Sequence, residues 1–363
     1  MTYATQLSKS DRIGTDMRAS VLDPGGALTV QRRPVPAPRP GDVLVRVSAV
    51  GVCGSDAHYQ RHGRIGDHVV TAPIVLGHEA SGRIVAVGAG VDERRVGERV
   101  SIEPQRPDPD TAESRRGDYN LCPHVRFFAT PPVDGALAEY VTIGSAFAHP
   151  VPDSVSDEAA ALFEPLSVGI AAVGKAGVGI GGSVLIAGAG PIGLLCAQVA
   201  RVAGATRIAV TDISAERRCL ATTFGATETP APDHAAAGNG FDAFIDASGA
   251  PSAVRAGIAH VRPGGTVVLV GMGADVMELP VSLIQNREIM LTGVYRYANT
   301  WPVARELVTS GRVDLDGMVT ARFDLDDVDA ALSADRIPGA VKAVVYPGGV
   351  PDSLNDRTWS GVR

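Results

Sequence analysis

Short runs of apolar residues alternating with polar ones fill the first part of the chain, at residues 27–30, 43–47, 79–87, 99–103 and 138–143. Pro34, Pro36, Pro38 and Pro40 and frequent glycines separate them. A period of two broken by turn residues predicts a mainly β unit over roughly residues 18–160. The first helix of any length is expected over 156–176. From Gly182 the pattern becomes strand, helix, strand. Strands are predicted at 184–187, 207–211, 242–246, 266–270 and 289–294, with helices opening at 191, over 215–224 before Gly225, and over 254–261. Pro263-Gly264-Gly265 is expected as the turn between that last helix and the next strand. Such alternation needs right-handed crossovers and gives an α/β, doubly wound parallel sheet. A helix over 302–310, a strand at 318–323, an acid-started helix from Asp326 and a strand at 341–346 have no place in that sheet, so the chain is expected to return to the β unit. Residues 1–17 read as a loose leader and 347–363 as a polar, mobile tail.

One turn in the second half carries chemistry. Val184-Leu185-Ile186-Ala187 leads into Gly188-Ala189-Gly190-Pro191-Ile192-Gly193, and a second strand ends at Asp212. A lone glycine triplet is weak evidence; one that follows a strand, opens a helix and is answered by an acid at the next strand end is a dinucleotide site. The first glycine makes the tight turn, the second admits the pyrophosphate and the third lets helix and strand pack closely. The phosphates are expected at the helix N-terminus. A carboxylate at Asp212 accepts from ribose hydroxyls and repels a 2′-phosphate, which favours NAD over NADP. Arg217 is read as stacking on adenine or lying in solvent.

Composition narrows the class. The 363 residues suggest two domains, and 45% hydrophobic residues fit an ordinary globular chain. A net charge of −7 and a pI near 5.6 argue against nucleic-acid or anionic-membrane partners. No apolar segment is long enough to span a membrane or resembles a secretory signal, and Cys53, Cys122, Cys196 and Cys219 show no paired spacing, so a cytoplasmic location is expected.

Cys53, in Gly51-Val52-Cys53-Gly54-Ser55-Asp56, and His78-Glu79, in Gly77-His78-Glu79-Ala80-Ser81-Gly82, are the ligand types of a catalytic zinc. Adjacent strand residues point to opposite faces, so His78 and Glu79 reach one ion only from a turn, for which Gly77 is suited. Each residue also has an ordinary explanation: a small core thiol, a loop histidine, a surface charge. His62, His68, His124, His149, His234 and His260 are given no functional role.

Together with Arg126-Phe127-Phe128-Ala129-Thr130-Pro131-Pro132, Phe163-Glu164-Pro165-Leu166-Ser167-Val168-Gly169 and Tyr295-Arg296-Tyr297-Ala298-Asn299-Thr300-Trp301-Pro302, these motifs resemble the zinc-dependent medium-chain dehydrogenases, most closely the polyol dehydrogenases of sorbitol and xylitol type. The resemblance runs from about residue 18 to 346. It implies a GroES-like catalytic domain at 18–165, a Rossmann NAD-binding domain at 166–300 and a return to the catalytic domain at 301–346. It also implies one catalytic zinc held by Cys53, His78 and Glu79, with Glu164 approaching through water. Tyr59, Phe128, Thr130, Arg296 and Tyr297 match substrate-pocket positions. Gly188, Gly190, Pro191, Ile192, Gly193, Asp212, Arg217, Val270, Gly271, Met272 and Tyr295 match cofactor positions. The implied reaction is oxidation of a secondary hydroxyl with hydride passing to NAD. Either Glu164, or Ser55 relaying toward His58, carries the proton away. A homo-oligomer, tetramer or dimer, is implied, with pairing through 289–294.

One departure stands out. Many relatives hold a structural zinc with four cysteines, where this chain has Asp108, Thr111, Ser114 and Cys122. Neutral Thr and Ser are poor zinc ligands, so no structural zinc is expected. Two rivals remain open: a zinc dehydrogenase for another secondary alcohol, such as L-threonine or butane-2,3-diol, and a nucleotide-binding relative that has lost catalysis.

Overall fold

The structure, a computed structural model, describes residues 13–232, 240–337 and 339–357. A five-stranded sheet takes the order Arg207–Thr211, Ser183–Ala187, Phe241–Asp246, Val261–Leu269, Met290–Gly293, with every pairing parallel. Ser183–Ala187 comes first in sequence but second in the sheet, so the chain winds outward on both sides of it. The turn at its carboxyl end therefore opens on the crevice where such sheets bind ligands. Side chains alternate between two cores, as a pleated strand dictates. Val184 and Ile186 pack with Leu166, Leu194 and Leu195 from helices Phe163–Ala176 and Pro191–Val202. Leu185 and Ala187 pack with Val254 and Ile258 from helix Pro251–Ala259.

The β unit is built on a seven-stranded sheet in the order Ala148–Pro150, Arg99–Ile102, Glu79–Val87, Asp42–Gly51, Lys342–Tyr346, Val319–Asp324, with Tyr140–Gly144 also pairing Asp42–Gly51. Asp42–Gly51 is ten residues long and shares its two edges among three neighbours, which curls the sheet around a core of Val43, Val45, Ile84, Ile102 and Ile143. The last two strands come from the far end of the chain, the return that the leftover elements predicted.

Several sequence expectations need correction. Strand Asp16–Leu22 starts inside the supposed leader; residues 1–12 lie outside the described residues. Helix Gly54–His62 was not anticipated, because Gly-Ser-Asp-Ala-His-Tyr-Gln-Arg-His carries no apolar stripe. The long helix over 156–176 is two, Asp157–Ala161 and Phe163–Ala176, parted at Leu162. Pro263-Gly264-Gly265 lies within strand Val261–Leu269 at a bulge, where the partner register jumps from Phe241↔Val261 to Ala243↔Thr266. In the tail, Asp352–Arg357 forms a 3-10 helix and Val350 and Leu354 pack on the nucleotide-side core; residues 358–363, and His234, lie outside the described residues.

Candidate active site

Strand pairing brings the metal-type residues together. Gly51 lies opposite Glu79 in the ladder, and Cys53 follows two residues after that strand end. A Cβ on Gly51 would sit 2.0 Å from Glu79 Oε2, so only glycine leaves room for the carboxylate. Gly77 takes φ 86°, the left-handed turn that lets His78 and Glu79 face one point. Sγ of Cys53, an imidazole nitrogen of His78 and a Glu79 oxygen lie within 4.8 Å of one another, the one group of three such residues among those described.

Two residues that sequence reading missed hold this cluster. Asp56, fully buried, accepts from Cys53 N at 3.2 Å and Gly77 N at 2.9 Å, and its Oδ1 lies 3.6 Å from His78 Nδ1. It therefore fixes the ring and leaves Nε2 for a ligand. Lys342 arrives on the C-terminal strand and donates to Glu79 Oε1 at 2.6 Å and to the Val52 carbonyl at 2.7 Å, both charges being buried. Glu79 Oε2 is left buried with no partner. An orphaned anionic oxygen beside a thiol and an oriented imidazole is a set that a zinc ion satisfies.

Glu164 sits in the first turn of helix Phe163–Ala176 and accepts from the Tyr297 hydroxyl at 2.6 Å. Burial raises its pKa to about 7; the His78 charge pulls downward and Glu79 upward. Arg296, at φ 56°, lies with its guanidinium 3.9 Å above Phe127 and 4.7 Å from the Tyr295 ring. Its Nη2 reaches Thr130 Oγ1 at 3.5 Å, while Nη1 is buried and unpartnered. Tyr59 is buried near it, its phenol pushed up to about 12 by desolvation. Phe128 is a correction: it belongs to the core of the β unit. Phe127, which ends strand Arg126–Phe127 just before the turn that carries Phe128, lies 5.6 Å from the His78 ring and beneath Arg296. Ser55 is half-buried, and His58 is exposed beside His62 at 4.5 Å, its pKa lowered by partial burial and by His62 and Arg61.

The nucleotide residues gather at the sheet crevice. Gly188 has φ 98°, and a Cβ on Gly193 would lie 1.8 Å from the Gly188 carbonyl oxygen, so helix and strand pack through bare backbone. Gly190 faces open space, the cradle that a phosphate would enter, ahead of Pro191 and Ile192 at the helix start. Asp212 accepts from Ala189 N and Ser214 N, each at 2.8 Å, fastening the turn to the second strand end. Val270 and Gly271 both donate backbone N–H to the Asp246 carbonyl at 2.9 Å, while Met272 and Tyr295 are exposed. Arg217 Nη2 donates at 3.1 Å to the carbonyl of Asp335 in the β unit.

The places of the missing cysteines are bonded to one another. Asp108 N donates to Cys122 Sγ at 3.3 Å, and Thr111 Oγ1 lies 3.2 Å from the Asp108 carbonyl and 2.9 Å from Ser114 Oγ.

Comparison with known proteins agrees with this geometry. Residues 39–153 match the alcohol dehydrogenase GroES-like domain, and residues 191–310 match the zinc-binding dehydrogenase family. The chain is 42% identical to the sorbitol dehydrogenase of Gallus gallus over 338 residues, 90% of this chain and 95% of that one. A zinc-binding dehydrogenase from Sinorhizobium meliloti bound to NADP superposes with a TM-score of 0.86 at 31% identity, covering 92% of this chain and all of that one. An alcohol dehydrogenase from E. coli complexed with NADH superposes at 0.85 with 28% identity and the same coverage. With agreement over nearly the whole length, both units matched and Cys53, His78 and Glu79 gathered at one point, the chain belongs to the zinc-dependent medium-chain alcohol dehydrogenases.

Proposed function

We propose that this oxidoreductase oxidises a secondary hydroxyl of a polyol of sorbitol or xylitol type to a ketose, passing hydride to NAD. The observation that carries the substrate class is the crossing segment that sets Arg296 and Tyr297 beside Glu164. Arg296 keeps a buried, unpartnered Nη1, and a polar donor buried without a partner is satisfied by a hydroxyl-bearing ligand. A simple alkanol leaves it unpaired, so the pocket discriminates by that penalty.

Cys53, His78 and Glu79 would hold zinc, which supplies Lewis acidity to the reacting hydroxyl. Asp56 and Lys342 position those ligands. Glu164, with Tyr297 donating to Oε1, takes up the proton at its other oxygen; the path from Ser55 toward His58 is the alternative exit. Tyr59, Phe127, Thr130 and Arg296 line the sugar-alcohol pocket. Gly188, Gly190, Pro191, Ile192 and Gly193 cradle the pyrophosphate, Asp212 meets the ribose, and Val270, Gly271, Met272 and Tyr295 flank the nicotinamide side. The Asp108–Cys122 lobe carries no zinc in this reading, its hydrogen bonds standing in for metal bonds. The catalytic domain is taken as 18–165 with 301–346, and the NAD-binding domain as 166–300. No helix among the described residues is long and apolar enough to cross a membrane, and a cytoplasmic homo-oligomer is proposed.

The test is elemental analysis of the purified protein with initial rates across pentitols, hexitols, L-threonine and butane-2,3-diol, using NAD or NADP. About one zinc per chain, turnover of a polyol and preference for NAD are expected. A preference for threonine or butanediol would overturn the substrate class, and a zinc-free protein that binds NADH without turnover would overturn the catalytic reading.

A further inference from the structure

The segment Tyr295-Arg296-Tyr297-Ala298-Asn299-Thr300-Trp301 leaves the last strand of the parallel sheet and crosses to the β unit. Arg296 and Asn299 hold left-handed backbone, φ 56° and 60°, without being glycine. Such conformations persist only where the surroundings over-determine them. What surrounds this segment converges on one carboxylate far along the sequence.

Glu103 is 2% exposed. At Oε1 it accepts from the Tyr119 hydroxyl and from Gln105 Nε2, each at 2.8 Å; at Oε2 it meets His149 Nε2 at 2.8 Å. Each of these three partners then touches the crossing segment. The Tyr119 oxygen accepts from Asn299 N at 2.7 Å, Gln105 Nε2 donates also to the Tyr297 carbonyl at 3.1 Å, and the His149 ring stacks on Trp301 at 5.4 Å. The lobe adds two more ties, Asn120 Nδ2 to the Tyr295 carbonyl at 2.8 Å and Asn299 Nδ2 to the Gly117 carbonyl at 2.9 Å.

We propose that Glu103 is a positioning residue for substrate specificity: through Tyr119, Gln105 and His149 it fixes the backbone that aims Arg296. It touches neither the metal-type cluster nor any residue assigned to the cofactor. Its influence therefore falls on those substrate hydroxyls that Arg296 reads, and not on hydride transfer itself. A glutamine in its place offers one acceptor oxygen to three donors and turns its own N–H groups toward Gln105 or His149. Where the amide nitrogen takes the Oε1 place, the Tyr119 hydroxyl loses its acceptor, and the hold on Asn299 N loosens.

The inference rests on the polyol reading, and two independent readouts separate them. The first is steady-state kinetics of Glu103→Gln, Tyr119→Phe and their double variant, with a polyol and with propan-2-ol, which has no further hydroxyl to reach Arg296. Loss of one buried hydrogen bond predicts a rise of about tenfold in the polyol KM, with kcat within about twofold. The KM for NAD and the propan-2-ol constants are expected to stay unchanged, and the double variant to be no worse than the poorer single one, since both act through one chain of contacts. The second readout needs no turnover. The chain has two tryptophans, so a Trp359→Phe background leaves Trp301 as the sole emitter. Loosening of the segment is then read as a shift in Trp301 emission in Glu103→Gln and Tyr119→Phe. Equal losses with propan-2-ol, a raised KM for NAD or additive effects would mean a general structural role and overturn the proposal, as would unchanged Trp301 emission. If no polyol is a substrate, the substrate reading falls while the emission still decides positioning. Should Glu103→Gln fail to fold, Tyr119→Phe, which keeps the ring against Phe147, carries both readouts.

Discussion

At the scale of single residues, the site depends on two positions whose roles have no local signature. Gly51 looks like any strand-end glycine, yet its missing Cβ is the space that Glu79 Oε2 occupies. Gly51→Ala is therefore expected to displace the carboxylate and strip most of the zinc while leaving the fold intact, read by elemental analysis beside circular dichroism. Lys342 is separated from Glu79 by most of the chain, and both are almost wholly buried. Lys342→Met leaves a buried charge uncompensated, so a loss of about 3–5 kcal/mol in urea unfolding is expected, together with reduced zinc content. Adding Glu79→Gln should restore much of the stability but none of the zinc. Cys53, His78 and Glu79 were legible as donor types, and Gly77 made a turn between them plausible, but only the family resemblance grouped them into one set, which the strand pairing brings together. Asp56 and Lys342 were not legible, since one acts from a helix without an apolar stripe and the other from a distant strand.

At the scale of elements, the strand, glycine-rich turn and helix at 184–202 stand where the sequence places them because their constraints are local. Gly193 must lack a side chain, with the Gly188 carbonyl 1.8 Å from where a Cβ would be. Gly193→Ala is expected to abolish NADH binding, measured by fluorescence titration, while the zinc content stays at the wild-type level because the metal-type cluster lies in the other unit. Helix Gly54–His62 escaped sequence reading for the opposite reason. Its stability comes from its ends: the Asp56 carboxylate accepts from the Cys53 N–H, and Gly63 closes the last turn at φ 69°. The bulge at Pro263-Gly264-Gly265 was taken for a turn because proline and glycine signal interruption without saying whether the chain reverses or only slips register.

At the scale of the whole molecule, strand Met290–Gly293 ends the parallel sheet, its outer edge unpaired among the described residues, and Met290 is 65% and Leu291 39% exposed. An apolar sheet edge invites pairing with a second copy. If the proposed homo-oligomer pairs through this edge, Leu291→Lys shifts it toward smaller species in analytical ultracentrifugation; an unchanged sedimentation profile would remove this edge from the proposed assembly. By itself the sequence determined what depends on near neighbours: the alternation of strand and helix, the glycine-rich turn between Ser183–Ala187 and the helix that follows, and the donor types at Cys53 and His78-Glu79. These follow from periodicity and backbone sterics, which act over a few residues. The tertiary structure alone decided that Gly51 faces Glu79, that Lys342 and Asp56 hold the cluster, that Phe127 rather than Phe128 meets Arg296, and that Glu103 gathers the contacts on the crossing segment. Each is a pairing between strands or loops remote in sequence, set by register and packing, and neither leaves a periodic trace in the order of residues along the chain.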